Sequence, residues 1–363
     1  MLVKGNYVKL KDIRNILLIQ LGDIGDVVWA TPTFRAVKET YPKANVSVLL
    51  RQSIRSLLEA DPHIHKIFEV KRYEGDLVKN LKGQLGLIRA LRKERFDLVF
   101  DLRSDDRGTF MAFLSGAPIR ASIIYHAIPW RNKFFTHLAD PPPVDKTNYT
   151  AADQSLRVIR AFGIDSQNDV PKLWVSEAVH NRVRDLFDKE GIDEDHIISL
   201  NPFSRWKYKE YSYDKWIEII DWLWEEYEIA TIIVGAYEEK EQSEFITQQC
   251  RGRVFNLTGK TTLGELVGIL CRSSLHLGVD SAAPHIAAVV GTPTITIYGP
   301  SDWRTWAHQG DMHSVVVPDS DCVPCQKKGC NGKGISKCLE ELKVEKIREA
   351  IRKSLNNILH MTI

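Results

Sequence analysis

Two glycine–aspartate pairs, Gly22–Asp23 and Gly25–Asp26, interrupt an otherwise apolar stretch, ILLIQLGDIGDVVWATP, at residues 16–32. Glycines let a backbone turn tightly and approach a ligand closely. A carboxylate at such a turn has two chemical uses. It can cap a helix, whose first N–H groups are unsatisfied and carry partial positive charge, or it can take a proton from a bound hydroxyl. One of Asp23 and Asp26 is expected to cap, leaving the other available as a base. The spacing is not G-x-G-x-x-G, so a dinucleotide fingerprint is poorly supported.

Three further groupings carry chemistry. The stretch NPFSRWKYKEYSYDKW crowds Asn201, Ser204, Arg205, Lys207 and Lys209 ahead of a helix expected near Tyr213. Hydroxyls, cations and free helix N–H groups make a phosphate cradle, although a solvated basic loop has the same composition. In LHLGVDSAAPHIAAVVGTPTITIYGPSDW a buried strand delivers Asp280 and Ser281 to its end. Ala282 and Ala283 follow, then a helix near Pro284 that carries His285. Proline is tolerated in a first helical turn, and Asp280 or Ser281 can cap it, an arrangement suited to a diphosphate. Finally, Cys322, Cys325, Cys330 and Cys338 follow C-x2-C-x4-C-x7-C. That resembles metal-ligand spacing, whereas the usual zinc pattern pairs two C-x2-C units; reduced thiols are the competing reading. Cys250 and Cys271 fall on helical patterns and read as core. The nearby Asp319–Asp321 pair is read as a chance Asp-x-Asp.

These groupings sit at the ends of short β-branched runs. NILLIQ, NVSVLL, HKIFEV and DLVFDL in the first half, and HIISLNP, IATIIVG, RVFNLTG, SLHLGVD and TPTITIYG in the second, read as strands. Between them apolar residues recur three and four apart, as in LVKNLKGQLGLIRALRKERF. The alternation predicts parallel sheets covered by helices on both faces, with ligands beyond the carboxyl ends of the strands. A proline-rich excursion, IPWRNKFFTHLADPPPVDKTN, and a linker-like GIDSQNDVPKLWVS separate the two series. A chain of 363 residues suits two such domains. VEKIREAIRKSLNNIL closes it as an amphipathic helix.

Net charge is +2 but uneven: residues 1–172 hold 27 Lys/Arg against 19 Asp/Glu, and residues 173–363 hold 22 against 28. A basic half suits an anionic partner, though uneven surface decoration gives the same balance. No apolar run approaches the ~18 residues that span a bilayer. The N-terminus lacks the apolar core of an export signal, so a cytoplasmic location is expected.

Residues 16–50 and 277–303 strongly resemble glycosyltransferase family 9, the ADP-heptose:lipopolysaccharide heptosyltransferases. DLRSDDRGTFMAFLSGAPIR, SDWRTWAHQG and CVPCQKKGCNGKGISKC look most like its heptosyltransferase III branch. The resemblance implies an α/β GT-B fold of two Rossmann-like doubly wound domains facing across a cleft. Residues 1–172 would receive the acceptor and 176–340 the nucleotide sugar, with helix 343–360 packing back on the first domain. It implies Asp26, beside Gly25, as catalytic carboxylate and Lys209, with Ser204 nearby, as the phosphate contact. Asp280, Ser281 and His285 match the donor-diphosphate motif, where Ala282 replaces the family's common glycine. Glu239 matches a ribose acceptor, and the backbone at Lys260 and Thr261 an adenine edge. Arg103, Arg107, Arg120 and Arg131 are candidate acceptor contacts. The implied reaction is inverting, metal-independent heptose transfer from ADP-heptose, as co-substrate, to the lipopolysaccharide inner core. No cofactor and no nucleic-acid partner are expected, and the protein would act as a monomer with peripheral contact at the inner face of the cytoplasmic membrane. Two other readings stay open: a different sugar-nucleotide enzyme of GT-B shape, with another donor sugar or an epimerase activity, and a non-catalytic sugar-nucleotide-binding protein.

Overall fold

The structure is a computed structural model describing residues 12–71, 77–103, 105–140, 143, 149–193, 196–332 and 334–360. The chain divides into two compact units, Met1–Trp174 and Val175–Ile363.

The first unit carries β1 (Asn15–Ile19), β2 (Asn45–Arg51), β3 (Lys66–Val70), β4 (Leu98–Asp101), β5 (Ile119–Ile123) and β6 (His137–Ala139). They form one sheet in the order β3-β2-β1-β4-β5-β6, all pairs parallel. Ile16, Leu17, Leu18 and Ile19 are fully buried, because helices cover both faces of a parallel sheet and its central strands are largely apolar. β6 lies inside the proline-rich excursion, preceded by the short 3₁₀ helix Pro129–Phe134.

The second unit repeats the design with β7 (Ile197–Asn201), β8 (Ala230–Ile233), β9 (Val254–Asn256), β10 (Leu275–Val279), β11 (Thr294–Ile297) and β12 (His313–Val316). Their order, β12-β11-β10-β7-β8-β9, is the same doubly wound arrangement read from the other edge. Each sheet therefore reverses direction once, between β1 and β4 and between β7 and β10. Such a switch point opens a crevice beyond the strand ends, since the two flanking connections leave on opposite faces.

Within the second unit, Ile347, Ile351 and Leu355 of the closing helix Val344–His360 are buried in the core with Trp222, Leu339 and Val316. There the helix packs against the helix Tyr213–Tyr227 and β12.

Candidate functional site

Each unit presents one set of polar groups, and both sets lie at a switch point. In the first unit β1 ends at Ile19 and the helix Ile24–Trp29 begins five residues on. Asp23 occupies the position before the helix and ion-pairs Arg51 at 2.6 Å. Asp26 is the third helical residue, and its Oδ2 accepts the Asp23 N–H at 2.8 Å, one arm of a capping box. The same Oδ2 meets Arg103 Nη1 at 2.5 Å. Asp26 is therefore a cap and more than a cap: among the described residues its Oδ1 accepts no hydrogen bond.

Arg103 is delivered by β4, the strand beside β1, with Ile19 paired to Asp101. The buried Asp101 carboxylate accepts the Arg103 N–H at 3.2 Å and so aims the chain toward Asp26. Gly22 makes the approach possible. A Cβ there would fall 2.5 Å from Asp26 Cβ and 2.7 Å from Arg103 Nη1. Gly25 is the second residue of the helix.

A cavity of about 300 Å³ opens onto this carboxylate; Gln20, Asp26, Arg103, Tyr125, Gln154 and Arg157 are among its walls. Its lining includes two guanidiniums and the amides of Gln20 and Gln154, a composition suited to an anionic, polyhydroxylated ligand. Tyr149, also in the wall, hydrogen-bonds with Arg157, and burial pushes its phenol up from the usual range. Of the four arginines expected at an acceptor, this wall takes Arg103. Arg107 donates to the Lys71 carbonyl, Arg120 to those of Phe134 and Ala117, and Arg131 pairs with Asp106. Burial pulls the Arg120 guanidinium down, in keeping with a structural role. Gln154 and Arg157 were not singled out from the sequence. They belong to a helical stretch whose link to Asp26 is purely spatial.

In the second unit the loop after β7 and the loop after β10 meet, because Asn201 pairs with Gly278. Ser281 stands before the helix Ala282–Val289, and its hydroxyl donates to Asn201 Oδ1 at 2.9 Å. Ser204 is buried, and its hydroxyl donates to the Asp280 carbonyl at 3.4 Å. Lys209 Nζ lies 2.6 Å from Asp280 Oδ2, with the carboxylate 8% and the lysine 21% exposed. A mostly buried lysine, a buried hydroxyl and a helix N-terminus without a side-chain cap thus converge. Ala282 opens that helix half-buried. His285 lies deeper than a ligand contact requires: it is 6% exposed, its ring 5.5 Å from that of His308.

Glu210 went unremarked in the sequence, where one acid among several cations reads as a solvated loop. In the structure it accepts the Ser204 N–H at 3.0 Å, the Tyr213 hydroxyl at 2.8 Å and Lys207 Nζ at 3.0 Å, locking the cradle loop. Glu239 follows β8 and accepts the Ala236 N–H at 2.7 Å through Oε2. Burial, followed by weaker effects that include the nearby Glu210, raises its carboxyl above the usual range. Lys260 directs its ammonium to Glu190 at 2.6 Å, and Thr261 precedes Thr262, the cap of the helix Leu263–Arg272. Among the described residues no group of three or more His, Cys, Asp or Glu side chains is placed to hold a metal ion. That includes Cys322, Cys325, Cys330 and Cys338, which are free thiols; burial, with the other three cysteines nearby, pushes the Cys338 thiol up to about 11.

A family model described as glycosyltransferase family 9 (heptosyltransferase) matches residues 84–336. A lipopolysaccharide heptosyltransferase 3 of Escherichia coli is 29% identical over 332 residues, covering 84% of this chain and 96% of its own. A family 9 glycosyl transferase from Veillonella parvula superposes with a TM-score of 0.78 at 19% identity, covering 95% of this chain and 97% of its own. The ADP-heptose lipopolysaccharide heptosyltransferase II of Escherichia coli superposes with a TM-score of 0.73 at 20% identity, covering 96% of this chain and 99% of its own. Both share the GT-B architecture of two such sheets.

Proposed function

The chain belongs to glycosyltransferase family 9, and from that premise we propose that it moves heptose from ADP-heptose to the inner core of lipopolysaccharide by a single inverting displacement. The observation that carries this reading is the Asp26 carboxylate. It stands in the wall of a cavity beside two guanidiniums, with one oxygen held by Arg103 and the other uncommitted among the described residues.

In the proposed step an acceptor hydroxyl lies in that cavity and gives its proton to Asp26 Oδ1 as its oxygen attacks the anomeric carbon of the donor. A positioned base of this kind contributes roughly 10²–10⁴ in rate. Arg103 and the Asp23 N–H hold the other oxygen, so the carboxylate does not swing as the proton arrives. Negative charge builds on the departing diphosphate. Lys209 and the N-terminus of the helix Ala282–Val289 stabilise it, with Asp280 holding the lysine and the Ser204 hydroxyl holding the Asp280 carbonyl. One ammonium and a helix terminus supply the charge that a divalent ion supplies elsewhere, so the reaction is proposed to run without metal. Attack from the face opposite the leaving group inverts the anomeric centre. Glu239 is assigned to the donor ribose through Oε1, its Oε2 being engaged by the backbone. The acceptor is lipid-linked and anionic, which matches the basic balance of residues 1–172. The work is therefore placed at a membrane surface; among the described residues no helix is long and apolar enough to cross one.

The test pairs the native protein with Asp26→Ala, given ADP-heptose and a heptose-deficient core lipid. Mass spectrometry of the lipid should gain one heptose with the native enzyme, and the variant should lose roughly 10²–10⁴ in kcat while melting as before. Transfer retained by Asp26→Ala removes the base. Calorimetric binding of ADP-heptose with neither ADP release nor transfer would make the chain a binding protein, and a new sugar nucleotide without transfer would make it an epimerase.

A further inference from the structure

The first unit exposes an aromatic cluster that the reaction above leaves unexplained. Phe110 is 42% exposed, Phe113 47% and Trp130 40%, far above the burial usual for such side chains. They are not scattered. Phe134 lies at their centre, with ring centroids 5.3 Å from Phe110, 5.4 Å from Phe113 and 5.9 Å from Trp130. The helix Asp106–Leu114 and the turn Pro129–Phe134 thus join their apolar edges in one patch open to water, and contiguous patches of this kind mark interaction sites.

The surroundings are basic. Arg120 stacks 5.6 Å over Phe113, and Arg131 lies 6.0 Å from the Trp130 ring and 5.1 Å from Tyr125. Residues 103–137 hold five Lys/Arg against two Asp. The adjoining helix Leu77–Lys93 carries five Lys/Arg and no acid, and Leu81 and Leu85 on it are exposed. Arg92 of that helix donates to the Leu114 carbonyl at 3.0 Å, pinning it to the end of the aromatic helix.

We propose that this face, Phe110, Phe113 and Trp130 with the basic helix Leu77–Lys93, docks on an anionic phospholipid surface. Aromatic rings with a polar surround favour the boundary between headgroups and acyl chains. Clustered lysines and arginines without acids are drawn to the negative potential of anionic lipids. Continuity with the cavity supplies the direction: Tyr125 touches Arg131 in the patch and also lines the wall around Asp26. Docking would therefore set the cavity beside the surface from which a lipid-linked acceptor comes. This use of the face rests on the reading of the acceptor given above; the binding itself does not.

Cosedimentation with vesicles of phosphatidylglycerol mixed into phosphatidylcholine, against phosphatidylcholine alone, tests it. The native protein should pellet with the mixed vesicles and much less with the neutral ones. Phe113→Ser/Trp130→Ser should lower the partition coefficient by at least about tenfold. Lys82→Glu/Arg89→Glu, confined to exposed positions, should do the same and decides the matter if the aromatic variant melts early. Equal pelleting on both vesicle types, or native-like binding by a folded variant of each kind, overturns the proposal. So does elution of the native protein as a dimer that Phe113→Ser/Trp130→Ser converts to monomer, which would give the patch to a second copy of the chain. Transfer to a deacylated, water-soluble acceptor separates the two readings. Both variants should keep it, and its absence from the native protein would count against the reaction while leaving vesicle binding to stand or fall alone.

Discussion

Gly22→Ala offers the sharpest test of how Asp26 works, because the substitution touches nothing chemical. The backbone at Gly22 does not lie in the positive-φ region, so an alanine there meets only a steric penalty. Its methyl carbon would fall 2.5 Å from Asp26 Cβ, 2.6 Å from Oδ2 and 2.7 Å from Arg103 Nη1. Carbon atoms rest at roughly 3.5–4.0 Å, so the Asp26 side chain has to retreat by about 1 Å and Arg103 with it. A misplacement of about 1 Å in a positioned group costs on the order of 10²-fold in rate, or about 2.7 kcal/mol of transition-state stabilisation. The assay is ADP release at saturating donor, with the thermal midpoint measured on the same preparation. The expected result is a kcat about a hundredfold down, with the donor KM unchanged, since the residues proposed to hold the diphosphate belong to the other unit. A variant that turns over within about twofold of the native rate would refute the reasoning, because a base cannot be displaced that far without consequence. A donor KM that rises while kcat holds would also refute it, by moving this turn into donor binding.

Lys209→Ala should lower kcat by about 10²–10³ through loss of leaving-group stabilisation. It should also lower the melting temperature, since Asp280, 8% exposed, would lose its ion-pair partner, at roughly 1–3 kcal/mol. Glu239→Gln should raise the donor KM by about tenfold with little change in kcat, as an ionised acceptor facing the ribose gives way to a neutral one. The second unit should also be acid-labile in a particular window. Burial pulls His276 down to about 3 and His308 to about 2, whereas in the unfolded chain both titrate near 6.5. The unfolded state therefore binds the extra protons, so stability is complete above about 6.5 and is lost as pH falls through the range down to the folded values. Each histidine contributes a slope of about 1.4 kcal/mol per pH unit there, and urea midpoints between neutrality and pH 5 that stay level would contradict it.

Much of the architecture is readable in the sequence. Nine of the twelve strands among the described residues fall on runs rich in β-branched and apolar residues, because a central parallel strand is buried on both faces and is therefore largely apolar. The three that escaped notice have weaker signals. β6 is three residues long, β5 alternates Arg120 and Ser122 with smaller apolar groups, and β12 begins with His313 and Ser314 at a sheet edge. The polar cluster of Ser204, Lys209, Asp280 and Ser281 was legible for a related reason. Glycine, hydroxyl and cation at the end of an apolar run stand out against their neighbours.

What the sequence determined alone was local: which segments are strands, which polar residues cluster at strand ends, and that Asp23 and Asp26 stand at a helix start. The division of labour between those two carboxylates came only from the fold. It depends on Arg103, separated from Asp26 by 77 residues and brought beside it because β1 and β4 pair at the switch point. The cavity wall of Tyr125, Gln154 and Arg157 and the burial of the closing helix in the second unit were likewise hidden. Periodicity reports which face of an element is apolar, but the identity of the surface that covers it, or of the charge that meets a carboxylate, is settled by contacts between residues far apart in the chain.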